Sequence, residues 1–161
     1  MAEELTLETV QKALDGEAPL NSIFGFTPEQ IGGIASLGYE LYEQGKMEEA
    51  TQVFRGLIAL DESNYLGYAG LGAVALAQEP PALDMAVNFL TRATQLNGSD
   101  PSIYANLGEA YLRQAKFEEA AQAFEKALDL DPEEEDPGAN RARAIIDGME
   151  IVMAELQKME S

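Results

Sequence analysis

The sequence predicts an all-α protein: three stacked helix pairs in a right-handed superhelix, with an N-terminal helix and a C-terminal capping helix. Three observations predict it. A large apolar residue, a leucine and a glycine recur at one spacing, in Ile34, Leu37 and Gly38, in Tyr68, Leu71 and Gly72, and in Tyr104, Leu107 and Gly108. Each trio is followed by an alanine and, four residues on, a large apolar residue: Ala50 and Phe54, Ala86 and Leu90, Ala120 and Phe124. The glycines lie 34 and then 36 residues apart, a period that means stacked supersecondary units. Small residues where two helices meet permit close approach, and large ones between them lock neighbours together.

Residues 6–15 read as a short amphipathic helix with Leu7, Val10 and Leu14 on one face. Residues 16–26 form a connector, so that residues 1–26 make one N-terminal segment. Thr27, Pro28 and Gln30 then open a helix, the threonine as cap and the glutamine closing a capping box. The array spans residues 27–134. Repeat 1 covers 31–64, with Gly45 supplying a left-handed turn between its helices. Repeat 2 covers 65–100, and its two extra residues fall at Gln78, Glu79, Pro80 and Pro81, where consecutive prolines stop the first helix. Repeat 3 covers 101–134. Residues 139–159 form a last helix with Ala142, Ile145, Ile146, Met149, Val152, Met153 and Leu156 at three- and four-residue steps. Its expected task is to cover the open end of the stack, since an uncapped array exposes a bare apolar face.

Composition narrows the function. The 161 residues carry 10 Lys+Arg against 29 Asp+Glu, a net charge of −19, with no cysteine and no histidine. Such a surface repels nucleic-acid phosphates and anionic lipid. Disulfides, thiolate nucleophiles and histidine bases or metal ligands are excluded, and no cofactor is implied. The acidic start lacks a basic, apolar leader, and the longest uncharged run, Tyr65–Ala77, is too short to span a bilayer. The expectation is a cytoplasmic protein without stable membrane insertion. Gly70, Gly72 and Ala75 superficially fit a dinucleotide fingerprint but fall inside one helix, where no strand precedes them. The carboxylate clusters at Glu48–Glu49, Glu118–Glu119 and 133–136 lie at helix starts or in a loop, where they favour the helix dipole. With no nucleophile–base pair, the chain reads as a non-enzyme.

The order of small and large residues resembles the tetratricopeptide repeat. That resemblance implies that the first helix of each pair lines an inner curve built to hold another protein. The groove positions are then Ala35, Tyr39 and Tyr42 in repeat 1; Leu66, Ala69, Ala73, Leu76 and Ala77 in repeat 2; and Asn106, Glu109, Leu112 and Arg113 in repeat 3. The uncharged helix 65–77 implies an apolar groove floor, the default binding site. The alternative is that a terminal helix folds over this surface. A lysine- and asparagine-based carboxylate clamp is not expected, because Ala35 and Tyr39 stand in repeat 1 and Arg113 is the one basic candidate in repeat 3.

Residues 35–78, ASLGYELYEQGKMEEATQVFRGLIALDESNYLGYAGLGAVALAQ, resemble the class II type III secretion chaperones, which hold hydrophobic translocator proteins. The stretch resembles the family's pattern of a tyrosine-rich first helix, a GK-aromatic-x-x-A turn with Met47 in place of the aromatic, an F-x-x-L-x-x-LD run, and then an aromatic followed by LGLGA, where this chain has Gly67, Tyr68 and Val74. The resemblance spans about residues 5–150. It implies a bacterial cytoplasmic chaperone that binds an extended segment of a secreted translocator, with Tyr39, Tyr42, Leu66, Tyr68 and Ala73 on the cargo and Tyr65 at the rim. It also implies that the N-terminal helix could form a homodimer through Leu7, Val10 and Leu14, against the alternative of an intramolecular cap. The competing function is a generic scaffold that assembles folded subunits and has no preference for extended apolar peptides.

Overall fold

A computed structural model describes residue 8, residues 11–12 and residues 15–160 of the chain. Leu7, Val10 and Leu14, the expected dimer face, lie outside the described residues. Eight helices are defined among the described residues: α1 (Asn21–Phe24), α2 (Pro28–Glu43), α3 (Met47–Leu60), α4 (Tyr65–Ala77), α5 (Leu83–Leu96), α6 (Pro101–Arg113), α7 (Phe117–Asp129) and α8 (Pro137–Glu160). They pack pairwise as α2 with α3, α4 with α5 and α6 with α7, and each second helix then packs on the next first helix.

The local signals explain where the helices start. Thr27 Oγ1 accepts from Gln30 N at 3.3 Å while Thr27 N donates to Gln30 Oε1 at 2.9 Å, the reciprocal capping box. Asn64 caps α4 through Leu66 N at 3.0 Å, and Asp100 caps α6 through Ser102 N at 3.0 Å. The second helices α3, α5 and α7 follow Lys46, Ala82 and Lys116 and have no side-chain cap. Tight turns and packing therefore place them. Gly45, at φ 76°, makes the first of these turns. After the proline pair, Ala82 N donates back to Ala75 O at 2.9 Å, which folds the link against the end of α4.

The repeat glycines are points of helix contact. A Cβ at Gly38 would stand 2.7 Å from the Phe54 ring, one at Gly72 2.5 Å from Leu90, and one at Gly108 2.5 Å from Phe124. Each glycine thus receives the large residue that follows the buried alanine of its own second helix. Phe54, Leu57 and Leu90 are fully buried. They anchor two core clusters, one between α2, α3 and α4 and one between α4, α5 and α6.

Helix α8 begins as a fourth first helix. Asp136 and Pro137 repeat Asp100 and Pro101 after 36 residues, and Asp136 Oδ1 accepts from Ala139 N at 2.8 Å. Where α6 turns Tyr104, Leu107 and Tyr111 toward its second helix, α8 has Asn140, Arg143 and Asp147. Polar residues at these positions end the array, because they need no further helix to cover them. Ala139 and Ala142 are fully buried, whereas Met149, Val152, Met153 and Leu156 are exposed. The first half of α8 lies against the stack, and its second half is exposed.

The cap is fastened by Asp131, 7% exposed. Its Oδ1 accepts from Glu135 N at 3.0 Å and Asp136 N at 3.1 Å, and Arg143 Nη1 reaches Oδ2 at 3.2 Å. Burial by itself would raise this carboxyl, but the hydrogen bonds from Asp136 N, Arg143 and Glu135 N outweigh it and hold it below the usual value. A carboxyl depressed by folding stabilises fully above its unfolded value of about 4, and that contribution is lost as pH falls through the lower folded value. Acidification below about pH 4 is therefore expected to free the loop 131–136. Amide exchange at Glu135 and Asp136 should accelerate more in the native chain than in Asp131→Asn, which has no charge there to lose.

Candidate functional site

The first helices line one groove. At its centre a pocket of about 310 Å³ is bounded by Tyr42 of α2, Ala73, Leu76 and Ala77 of α4, Asn106, Glu109 and Arg113 of α6, and Arg141 of α8. Thus four alternate helices, α2, α4, α6 and α8, meet at one site. Arg113 Nη1 donates to Leu76 O at 3.1 Å, and Arg113 Nη2 pairs with Glu109 at 2.5 Å. Arg141 pairs with the other Glu109 oxygen at 3.5 Å and donates to Asn106 Oδ1. Glu109 is thereby held between two guanidinium groups in the pocket wall. These pairs are partly exposed, so their energetic contribution is small and their main effect is positional.

Of the residues expected in the groove, the pocket brings together Tyr42, Ala73, Leu76, Ala77, Asn106, Glu109 and Arg113. The remainder sit elsewhere. Tyr39 is half-buried with its ring edge-on to Phe54, centroids 5.0 Å apart. Burial, then the neighbouring Asp100 carboxylate, Tyr65 and Tyr42, push its phenol up to about 12. Leu66 packs with Tyr39 and Tyr42 against the cluster around Phe54. Tyr65 and Tyr68 pack against the central cluster, and Tyr68 lies under the Arg92 guanidinium of α5 at 5.9 Å, directed to the second-helix layer rather than the groove pocket. Ala69 is 4% exposed and belongs to that cluster.

The apolar floor expected from the uncharged helix is narrower than the sequence implies. Gly67 and every residue from Ala69 to Leu76 are buried. The reason is steric: with Gly67, Gly70, Gly72 and three alanines between Tyr68 and Val74 or just beyond, α4 has few projecting side chains, so its neighbours close in on every side. What remains is a small pocket floored by the nearly buried Ala73 and Leu76 and the half-buried Ala77, flanked by polar walls from α6 and α8. Sequence reasoning missed Arg141. The signal was present, since Arg141 lies 36 residues after Ala105 and 72 after Ala69, an inner-curve position in a fourth copy of the first helix.

Comparison with known proteins finds relatives of the same repeat class. The tetratricopeptide repeat family matches residues 101–134. Human tetratricopeptide repeat protein 6 is 31% identical over 146 residues, covering 71% of this chain; the chain spans only 28% of that protein's length. The chaperone protein SicA of Salmonella typhimurium is 28% identical over 146 residues, covering 91% of this chain and 85% of the relative. The chain is a tetratricopeptide repeat protein resembling the class II type III secretion translocator chaperones. The Yersinia enterocolitica secretion chaperone SycD, solved in complex with a peptide of the translocator YopD, superposes with a TM-score of 0.63 at 21% identity. It covers 79% of this chain and 97% of its own, and establishes the shared fold. The resemblance is to non-catalytic proteins. Among the described residues no three His, Cys, Asp or Glu side chains are grouped to hold a metal ion, and no helix is long and apolar enough to cross a membrane.

Proposed function

We propose that this tetratricopeptide protein is a bacterial cytoplasmic chaperone for a hydrophobic type III secretion translocator, holding an extended segment of it in the groove of α2, α4 and α6. The observation that carries the reading is the pocket at Tyr42, Ala73, Leu76 and Ala77, in a chain that resembles a secretion chaperone over most of its length. The apolar floor of the pocket accepts side chains of an extended segment. Asn106 and Arg113, at its edge, carry donors for the segment's backbone carbonyls, which a helix-lined groove must satisfy by side chains. Tyr42 supplies contact area at low entropic cost. A surface of −19 keeps the loaded complex dispersed.

The test is co-expression with a two-helix hydrophobic translocator. Tyr42→Ser combined with Ala77→Glu removes the aromatic wall and places a charge in the pocket. Both positions are half-buried and neither is among the fully buried core residues, so folding is retained. The soluble fraction of translocator should fall at least tenfold, a loss of about 1.4 kcal/mol or more in binding. Equal solubility with and without the protein would refute the reading.

A further inference from the structure

A second apolar concavity lies away from the groove. A cleft of about 390 Å³ opens where α8 departs from α7, bounded by Leu112, Phe117, Phe124, Ile146, Met149 and Met153. Phe117 is 59% and Met153 57% exposed. On α8 the apolar stripe that packs the cap, Ala142 and Ile146, continues without interruption through Met149, Met153 and Leu156, so an interface already formed in the first half of the helix extends unpartnered into the second.

The chemistry of the cleft limits what can fill it. Its walls are helices, α7 and α8 with Leu112 of α6, whose backbone groups are spent on their own hydrogen bonds, and its polar lining groups are Glu150 and Gln157. An incoming segment must therefore satisfy its own backbone, which a helix does and an extended chain does not. From Ile146 to Gln157 the wall is ~17 Å long at 1.5 Å per residue, about three turns of helix. The stretches 117–125 and 146–157 carry Glu118, Glu119, Glu125, Asp147, Glu150 and Glu155, against Lys116, Lys126 and Lys158 at their ends, so acidic groups predominate, and Glu150 lines the cleft itself. Like charge disfavours a second copy of this −19 chain in that position, whereas opposite charge steers and orients a basic partner.

The geometry points to this cleft as a second docking site, distinct from the groove, for a partner helix with an aliphatic face flanked by lysine or arginine. Two synthetic 18-residue amphipathic helices with the same leucine face test it, one with a lysine polar face and one with a glutamate polar face. The lysine peptide binds at 0.15 M salt and the glutamate peptide does not. Phe117→Ser with Met153→Gln, which leaves the net charge unchanged, weakens the lysine peptide at least tenfold; the groove variant Tyr42→Ser with Ala77→Glu leaves it within twofold. Both cleft residues are exposed, and an unchanged melting curve confirms that the variant folds. As a second variant, Glu118→Lys with Glu150→Lys shifts preference toward the glutamate peptide. Undiminished binding of the lysine peptide to the Phe117→Ser, Met153→Gln protein would reduce the effect to bulk charge and overturn the proposal. So would a homodimer in which position 153 is buried against its partner copy.

Discussion

Phe54→Ala is expected to remove about 3–5 kcal/mol of stability, the range for deleting a fully buried aromatic ring. Phe54 has no solvent exposure. Its ring lies between two glycines of different helices, Gly38 of α2 and Gly70 of α4, and meets Tyr39 edge-on at 5.0 Å. Neither glycine has a side chain that could move into the space the ring leaves. Because repeat arrays owe their cooperativity to contacts between neighbouring units, the loss falls on the joint between repeats 1 and 2. Urea unfolding should show a lower midpoint and a first repeat that opens ahead of the rest. A loss below about 1 kcal/mol would mean that the site collapses readily, and that the ring is not the joint.

Gly70→Ala approaches the same joint from the opposite side. The added Cβ would stand 2.2 Å from Phe54 Cδ1, and the ring cannot retreat because Gly38 already lies against it. Alanine in a helix is worth about 1 kcal/mol over glycine. Overpacking a tight core costs about 1–3 kcal/mol, and at this distance the upper part of that range applies. The net change is destabilising. Gly148→Ala provides the contrast, since nothing lies within 4 Å of a Cβ there, and the same exchange should stabilise α8 by up to about 1 kcal/mol. Opposite shifts in melting temperature are the expected result. A stabilising Gly70→Ala would contradict the packing described.

The helix pairs were legible because steric requirements write themselves into sequence at fixed spacing. Gly38, Gly72 and Gly108 had to be small, and Phe54, Leu90 and Phe124 had to be large enough to meet them. Thr27 with Gln30 and the turn at Gly45 were readable for the same reason, since each satisfies a local demand of the backbone. The groove was less legible. Tyr68 and Ala69 belong to an uncharged helix, and no pattern in that helix says which side its neighbours will cover. Exposure there depends on how closely α2 and α6 approach, a property of three segments together. Helix α8 shows the same limit: its stripe is continuous from Ala142 to Leu156, but packing stops midway because the helices below are shorter. Arg141 became visible as a groove residue only once α8 was aligned as a fourth first helix.

The proposed binding mode puts the cargo in the groove at Ala77 as an extended segment. The chain has no cysteine, so single cysteines report individual positions. Ala77→Cys places a thiol in the groove pocket, and Gly56→Cys places one on exposed α3 with nothing within 4 Å. Thiol modification rates measured with and without a bound translocator segment compare the two sites directly. Strong protection at position 77 and none at position 56 is the expected result. Protection at position 56 with position 77 still reactive would contradict it.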